Sequence, residues 1–373
     1  MKKKVLILSA STGGGHNRAA RALTEELQAL NIDSRIVDSL KAVHKTVDAL
    51  ISKGYETSAL YTPLAYGRIY RLHDSNLMRK GLDINPVITY MMKKLKMLIS
   101  MEKPDLVIGT HPFPVMAVSN LKARGSLRLP LFSIITDFGV HHAHIADHID
   151  RYIVGDEYVQ SILESLGVPE HRISSCGIPI EKSFLEPVDP AILKHNLGLK
   201  DKFTVLLMGG SFGAGNILDV LKQLLSIPED IQIILVCGRN RSLHQKIEGF
   251  LTGRPHSKTV ALLGFTDKMN YLMSMSDCIV TKPGGLTVTE CLLKELPMIV
   301  PFYIPGQEKD NLDFLLNSGL AVRPTYNAGL ETLLKNFYDF PDKLERIRSN
   351  MRLFKKEHSA RRIAAMIKQQ IEG

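Results

Sequence analysis

The sequence has little of what marks membrane-spanning, disulfide-rich or zinc-binding proteins. Its 373 residues include no tryptophan, four cysteines without a C-x-x-C pair, and no apolar run approaching a membrane span. A spanning helix needs about 20 consecutive apolar residues, so we expect none in this chain. Cysteines that stand singly in or beside apolar segments indicate buried free thiols in a reducing compartment.

The standard phosphate-binding fingerprints are also missing. The stretch Gly13–Gly15 follows an apolar run, but Arg18 stands where the dinucleotide fingerprint has its third glycine. A second glycine-rich stretch, Gly209–Gly215, has Leu218 at the corresponding place, and neither stretch continues into the G-K-[ST] of a P-loop. These absences exclude the common dinucleotide-binding and P-loop classes.

The pattern along the chain predicts an α/β fold. Hydrophobic residues make up 45% and charged residues 23%, which is typical of a globular protein, and the length suits two domains. Short apolar runs alternate with amphipathic segments of helix length, which predicts parallel sheets covered by helices on both faces. Predicted strands are 5–10, 35–38, 106–110, 131–136, 152–154 and 173–176, then 204–208, 232–237, 259–263, 278–281 and 298–302. We predict two doubly wound Rossmann-like domains facing a central cleft.

A proline-rich segment divides the chain. Residues 179–191, "PIEKSFLEPVDPA", carry three prolines in 13 residues, and the periodicity lapses there. We therefore predict an N-terminal domain over residues 1–185, a C-terminal domain over residues 186–355, and a C-terminal helix over residues 356–373 that packs back on the N-terminal domain.

The positive charge is concentrated in one region. The net charge is +9, and residues 41–100 alone hold ten Lys or Arg against four Asp or Glu, interleaved with Tyr, Leu and Met. Basic residues mixed with aromatic and apolar ones suit an anionic membrane surface. They also suit nucleic acid, but no standard nucleic-acid module is present and we predict no such partner. An ordinary solvated helical face remains the alternative. The basic start runs into a short apolar stretch that we interpret as a first strand, not a signal peptide.

The segment "TKPGGLTVTE", residues 281–290, predicts a nucleotide site. A strand ends, Gly284 and Gly285 turn the chain, and a helix opens whose N-terminal amides favour phosphate oxygens. Glu290 suits the two hydroxyls of a ribose, so turn and carboxylate together indicate a nucleoside diphosphate. The "GGSFGAG" turn offers a second phosphate contact. A merely tight turn and a solvated glutamate are the alternatives.

In the first domain, His16 opens a helix directly after the glycine turn. The positive end of a helix disfavours imidazolium, so a neutral ring there is placed to act as a general base. Asp137 follows a buried strand and could orient His16 or bind an acceptor hydroxyl. Two alternatives stay open: a capping or packing role for His16, and a zinc site in which Asp137 joins His141, His144 and His148, which would share one helical face.

Seven stretches occur in order between residues 13 and 311: "GGGHNRAA", "PDLVIGTHPF", "ITDFGVH", "GIPI", "GGSFG", "KPGGLTVTE" and "PGQEKDN". With them the sequence resembles the diacylglycerol glycosyltransferases of the monogalactosyldiacylglycerol synthase type, including bacterial processive diacylglycerol glucosyltransferases, which are inverting enzymes of the GT-B fold. It is more distantly similar to the N-acetylglucosaminyltransferase that completes lipid II.

This resemblance implies roles for individual residues. It makes His16 the base and places the sugar near Gln307 and Glu308. The implied nucleotide-binding residues are Gly210, Ser211, Phe265, Gly284, Gly285, Thr287 and Glu290, with Phe265 near the nucleobase. Relatives often carry a tryptophan shortly after the T-D-F segment, where this chain has His144, and that departure concerns acceptor specificity.

Together these observations predict transfer of a hexose from a UDP-sugar to diacylglycerol or a glycosyl-diacylglycerol, with inversion, by a peripheral protein at the cytoplasmic face of the cell membrane. No metal or other cofactor is expected, because the chain has no D-x-D tripeptide of the kind that carries a metal–diphosphate in another class of sugar transferases. The rival interpretations are a nucleotide-sugar epimerase or hydrolase on the same fold and a non-catalytic UDP-sugar sensor.

Overall fold

The computed structural model describes residues 2–11, 14–43, 86–210, 213 and 215–373. The chain divides into two compact units. The N-terminal unit comprises Met1–Lys182, Pro305–Asp310 and Lys356–Gly373, and the C-terminal unit comprises Ser183–Ile304 and Asn311–Lys355.

The strands of the described residues are β1 Lys4–Ser9, β2 Asp33–Asp38, β3 Leu106–Gly109, β4 Leu131–Ile134, β5 Arg151–Ile153, β6 Ile173–Ser174, β7 Phe203–Met208, β8 Ile231–Val236, β9 Val260–Leu263, β10 Cys278–Val280, β11 Met298–Ile299 and β12 Ala321–Val322. The helices are α1 Gly15–Ala29, α2 Ser39–Val43, α3 Pro86–Glu102, α4 Pro112–Ala123, α5 Glu157–Ser165, α6 Pro190–Asn196, α7 Ile217–Ser226, α8 Arg241–Thr252, α9 Met269–Ser274, α10 Gly285–Lys294, α11 Gln307–Asn317, α12 Leu330–Asp339, α13 Pro341–Phe354 and α14 Ser359–Glu372.

The N-terminal unit is built on a parallel sheet with strand order β2-β1-β3-β4-β5-β6. Strand β1 carries a continuous apolar run, Val5–Leu8, that is fully buried because helices cover both faces of the sheet. The order reverses between β1 and β3, which are direct neighbours in the sheet. Ligands of open α/β sheets bind at such a switch point, beyond the carboxyl ends of the strands.

The C-terminal unit has a second parallel sheet, with strand order β12-β11-β10-β7-β8-β9. This is the strand order of the dinucleotide-binding Rossmann fold, and its switch point lies between β7 and β10. The two sheets with their helices confirm the predicted α/β, doubly wound architecture.

The short strands at or next to the sheet edges differ from the prediction. β11 ends at Ile299 instead of residue 302, because Pro301 has no N–H to donate to a neighbouring strand. β6 covers two of the four predicted residues, and β12 was not predicted at all. Two-residue strands are too short to show a periodicity of two along the sequence.

The C-terminal helix α14 packs against α1 in the N-terminal unit. Its buried positions Ile363, Ala364, Ile367 and Ile371 recur at helical spacing and join the core formed by β1, β3 and α1. Just before the helix, Lys356 makes an ion pair with Glu157 at 2.7 Å.

All four cysteines are free, and Cys237, Cys278 and Cys291 are buried. In the part of the chain that the structure describes, no helix combines the length and apolar character that crossing a membrane requires. Most of the basic region predicted to dock on a membrane, residues 44–85, lies outside the described residues, whereas α3 lies within them.

Candidate functional site

The switch point of the N-terminal sheet gathers the polar residues that follow β1, β3 and β4. His16 is the second residue of α1, which begins at Gly15 with Gly14 as its N-cap. Thr110 follows β3, and Thr136 and Asp137 follow β4. All three loops lie at the carboxyl edge of the sheet, because parallel strands end on the same side.

The ring of His16 is held by two threonines. Its Nδ1 lies 2.5 Å from the backbone oxygen of Thr110 and 3.1 Å from Oγ1 of Thr136. Because a carbonyl oxygen can only accept a hydrogen bond, Nδ1 carries the proton. The lone pair of the neutral ring is therefore on Nε2, which is the tautomer that a general base needs.

Burial also keeps this ring neutral. It lowers the pKa of His16 to about 4, and the hydrogen bond to the Thr110 carbonyl, which favours the charged form, offsets only part of that effect. The N-terminal position on α1 opposes protonation further. At neutral pH His16 is an uncharged imidazole whose basic nitrogen is Nε2.

A chain of side-chain hydrogen bonds anchors the first turn of α1. Ser9 Oγ donates to Asn17 Oδ1 at 2.6 Å, and Asn17 Nδ2 donates to Ser11 Oγ at 3.1 Å. Thr110 Oγ1 donates in turn to Ser9 Oγ at 3.2 Å. The loops after β1 and β3 are thus tied together next to His16, which gives the imidazole a fixed support.

Asp137 is buried at the end of β4, with about 8% of its surface exposed. The contacts of His16 Nδ1 are to Thr110 and Thr136, so the orienting role considered for Asp137 falls to the Thr110 carbonyl. Binding an acceptor hydroxyl remains as the predicted role of Asp137. Sequence reasoning missed Thr110 and Thr136, although both follow buried strands whose ends were predicted.

The histidines after Asp137 do not form a helical face. Residues His142–His144 form a single 3₁₀ turn, in which His141 Nδ1 accepts from Ala143 N at 3.0 Å and His144 Nδ1 accepts from His141 N at 3.1 Å. His148 lies beyond that turn and is exposed. Within the described ranges no three His, Cys, Asp or Glu side chains are grouped so as to hold a metal ion. The shared helical face that the zinc alternative requires is therefore not present in this segment.

In the C-terminal unit, Gly284 is the N-cap of α10 and Gly285 is its first residue. Gly284 has no side chain to cap the first amides of the helix, and a helix N-terminus of this kind favours an anionic ligand. Thr287 follows in the first turn and is half-buried. Glu290 is only 1% exposed, which rules out a solvated surface glutamate at this position.

Lys282 joins the two loops at this second switch point. Gly210, after β7, has a positive φ of 71°, and a Cβ built on it would lie 2.8 Å from Lys282 Cε. The lysine stem, from the loop after β10, therefore runs directly over the glycine. Sequence reasoning did not single out Lys282, although a basic residue directly before Pro283-Gly284 was a visible signal. Ser211 lies outside the described residues.

Phe265 borders a cavity at the carboxyl ends of β8 and β9. The ring is 61% exposed, and the Arg239 guanidinium carbon lies 4.8 Å from its centre. The cavity has a volume of about 750 Å³ and is lined by Gly238–Arg241, His244, Gln245, Glu248, Gly264 and Phe265. An exposed aromatic ring beside backbone and amide groups is a surface on which a flat base can stack.

Gln307 and Glu308 begin α11, where Gln307 is half-buried and Glu308 is buried. The same first turn packs in the N-terminal unit against the loop after β4: a Cβ on Gly139 would lie 2.3 Å from Asp310 Cβ. The structure thus brings the start of α11 close to the Asp137 loop, a contact that the sequence did not predict.

Comparison with known proteins assigns the family. The family model for monogalactosyldiacylglycerol (MGDG) synthase matches residues 16–180, and that for the glycosyltransferase family 28 C-terminal domain matches residues 204–367. The processive diacylglycerol β-glucosyltransferase of Bacillus thuringiensis (strain Al Hakam) is 31% identical over 326 residues, which cover 86% of this chain and 81% of that protein.

Among solved structures, MurG of Acinetobacter baumannii and the glycotransferase of kitacinnamycin each superpose with a TM-score of 0.66 at 16% identity. They match 99% and 100% of this chain, respectively, and 100% of their own chains. At that identity the similarity shows the fold, which is GT-B. With the predicted resemblance confirmed by these matches, the chain belongs to the diacylglycerol glycosyltransferase family that includes the MGDG synthases and the processive diacylglycerol β-glucosyltransferases.

Proposed function

We propose that this protein transfers a hexose from a UDP-sugar to diacylglycerol or a glycosyl-diacylglycerol, with inversion, at the cytoplasmic face of the membrane. The observation that carries the proposal is the state of His16. Its Nδ1–H is fixed on the Thr110 carbonyl, and burial keeps the ring neutral. A general base for a hydroxyl acceptor needs this protonation state.

In the proposed step, His16 Nε2 takes the proton of the acceptor hydroxyl as the oxygen attacks the anomeric carbon of the donor sugar. The bond from that carbon to the UDP oxygen breaks on the opposite face, so the configuration inverts. The imidazolium that forms is stabilised by the Thr110 carbonyl, since a hydrogen bond to the charged form favours it. Asp137 is the proposed contact for the acceptor hydroxyl.

The UDP moiety is proposed to bind at the switch point of the C-terminal sheet. The turn at Gly284, the amides of the first turn of α10 from Gly285 onward, the turn at Gly210 and Ser211, and Thr287 would surround the diphosphate, and Glu290 would accept from the ribose hydroxyls. Helix-terminal amides neutralise developing negative charge on the leaving group without a metal ion, so we propose that none is needed.

Other elements provide the proposed contacts for the nucleobase and for the donor sugar. The cavity beside Phe265 is the proposed site for the nucleobase, which would stack on the exposed ring. Gln307 and Glu308 supply an amide and a carboxylate, the groups that hydrogen-bond sugar hydroxyls, and we assign them to the donor sugar.

Helix α3 supports the membrane part of the proposal. Its buried residues are Ile88, Met91, Met92, Leu95 and Ile99, and the helix packs against α2 and α4. The opposite face exposes Tyr90, Lys93, Lys94, Lys96, Met97 and Met101. A face that mixes lysines with exposed methionines suits the boundary between anionic headgroups and acyl chains.

The deciding experiment incubates the protein with diacylglycerol vesicles and a panel of UDP-hexoses and identifies products by mass spectrometry. We expect glycosyl-diacylglycerol with one donor, and His16→Ala should lower turnover by roughly two to four orders of magnitude. Exposed His171 on the same unit provides a matched control, and His171→Ala should retain full turnover.

Other products would decide against the proposal. Free sugar or an isomerised UDP-sugar formed without vesicles would identify a hydrolase or an epimerase. Tight UDP binding without turnover of any donor would identify a sensor. Undiminished turnover in His16→Ala would remove His16 from the mechanism.

A further inference from the structure

A second histidine lies beside His16 and has no part in the mechanism above. His111 directly follows Thr110, is about 9% exposed, and is the N-cap of α4. Its Nδ1 accepts a hydrogen bond from the backbone N–H of Phe113 at 3.3 Å. Because Nδ1 is the acceptor, the proton of the neutral ring is on Nε2. The cap therefore fixes both the position and the tautomer of this ring.

The two imidazoles pack edge to face. Their centres are 4.9 Å apart and their planes are inclined by 71°. On its other side the His111 ring packs against Phe113, with centres 5.0 Å apart. His16 is thus constrained by the Thr110 carbonyl, by the Thr136 hydroxyl and by the His111 ring. The Thr110 carbonyl and the Thr136 hydroxyl act on Nδ1. The His111 ring limits rotation of the imidazole about its Cβ–Cγ bond.

We propose that His111 is a positioning residue for His16, holding the imidazole in the orientation in which Nδ1–H meets the Thr110 carbonyl and Nε2 is left for the acceptor proton. The inference rests on the proposed role of His16 as the base. His111 acts through the ring of His16, and the N-cap of α4 holds it in place.

The charge state of His111 agrees with this role. Burial, and secondarily the neighbouring His16 and His144, keep the pKa of His111 well below its usual value. A neutral neighbour does not repel the positive charge that His16 acquires when it takes the acceptor proton. A cation at the same place would oppose that protonation.

His111→Asn tests the proposal while preserving α4, because asparagine is also a favoured N-cap residue. We expect kcat for transfer to diacylglycerol vesicles from the UDP-hexose that the donor panel identifies to fall roughly 10- to 100-fold, the effect of a misplaced catalytic group, with KM for that donor unchanged. The same substitution in a His16→Ala background should cause no further loss. His111→Phe, which keeps a ring edge, should retain more kcat than His111→Asn, and His171→Asn is the matched surface control.

A spectroscopic measurement separates this inference from the proposed function. In protein labelled with ¹⁵N-histidine, the ring nitrogen shifts should show His16 as a single Nδ1–H tautomer, and His111→Asn should convert it to a mixture. This result does not depend on turnover, so a wild-type protein that transfers no sugar would refute the function alone. Wild-type kcat in His111→Asn, an equal loss in the His16→Ala background, or an unchanged His16 tautomer would overturn the positioning role.

Discussion

Acidification from pH 7 to pH 5 should leave the transfer rate almost unchanged. Burial lowers the pKa of His16 to about 4, and the proton must be absent from Nε2 for the ring to act as a base. With that pKa, about nine-tenths of the enzyme still holds the basic form at pH 5. A solvated histidine with its ordinary pKa would leave only about 3% in that form. At pH 5 a buried His16 and a solvated one therefore differ about thirtyfold in expected rate.

The assay is the pH profile of kcat/KM for the UDP-hexose that the donor panel identifies, with diacylglycerol in neutral phosphatidylcholine vesicles between pH 4 and pH 8. This ratio reports the ionisable groups of the free enzyme. Neutral lipid keeps the charge of the vesicle constant across the range. Circular dichroism at each pH distinguishes loss of the base from acid unfolding.

The acid limb should have its midpoint well below 6.5, with about nine-tenths of the plateau retained at pH 5. A midpoint near 6.5 in a folded protein would refute the reasoning. It would mean that the ring of His16 is solvated in the working enzyme, or that a different histidine removes the acceptor proton.

Three further outcomes test the nucleotide and membrane surfaces. Lys282→Ala should weaken UDP binding in calorimetry roughly 10- to 100-fold, because the Lys282 side chain runs over Gly210 at the switch point where the diphosphate is proposed to bind, and Lys282→Arg should restore most of the affinity. Unchanged UDP affinity in Lys282→Ala would exclude the contact. Turnover should survive EDTA, and a loss that Mg²⁺ or Mn²⁺ reverses would contradict the proposed metal-free departure of UDP. Replacing Lys93 and Lys94 by Gln should weaken sedimentation with anionic vesicles about 30-fold, at about 1 kcal/mol per lysine, whereas exposed Lys200→Gln on the C-terminal unit should not.

Strand ends were the part of the structure that the sequence predicted well, because continuous apolar runs bounded by glycine or polar residues end where a buried strand ends. That is why His16, Asp137 and Gly284 could be placed at sheet edges before any contact was known. What a strand end faces was not predictable in the same way. The partner of His16 Nδ1 is the backbone oxygen of Thr110, 94 residues away, and a backbone group has no sequence signature.

The histidine segment shows where a periodicity misleads. The positions of His141, His144 and His148 fit one face of an α-helix, yet the chain makes a single 3₁₀ turn there. The ring nitrogens of His141 and His144 accept hydrogen bonds from backbone N–H groups of that turn. Side chains that satisfy backbone donors locally compete with helix formation, and here the local bonds determine the conformation.

The two glycine-rich turns look alike in sequence but differ in the residue that meets them across the switch point. In the N-terminal sheet the loop after β1 meets the loop after β3, and the contact joins the His16 imidazole to a carbonyl oxygen. In the C-terminal sheet the loop after β7 meets the loop after β10, and the contact joins Gly210 to the stem of Lys282. The carbonyl acceptor opposite the imidazole selects the tautomer of the neutral ring whose basic nitrogen is Nε2, whereas the lysine over a glycine with positive φ brings a positively charged side chain to the turn. The same topological position therefore presents a basic ring nitrogen in one unit and a positively charged side chain in the other.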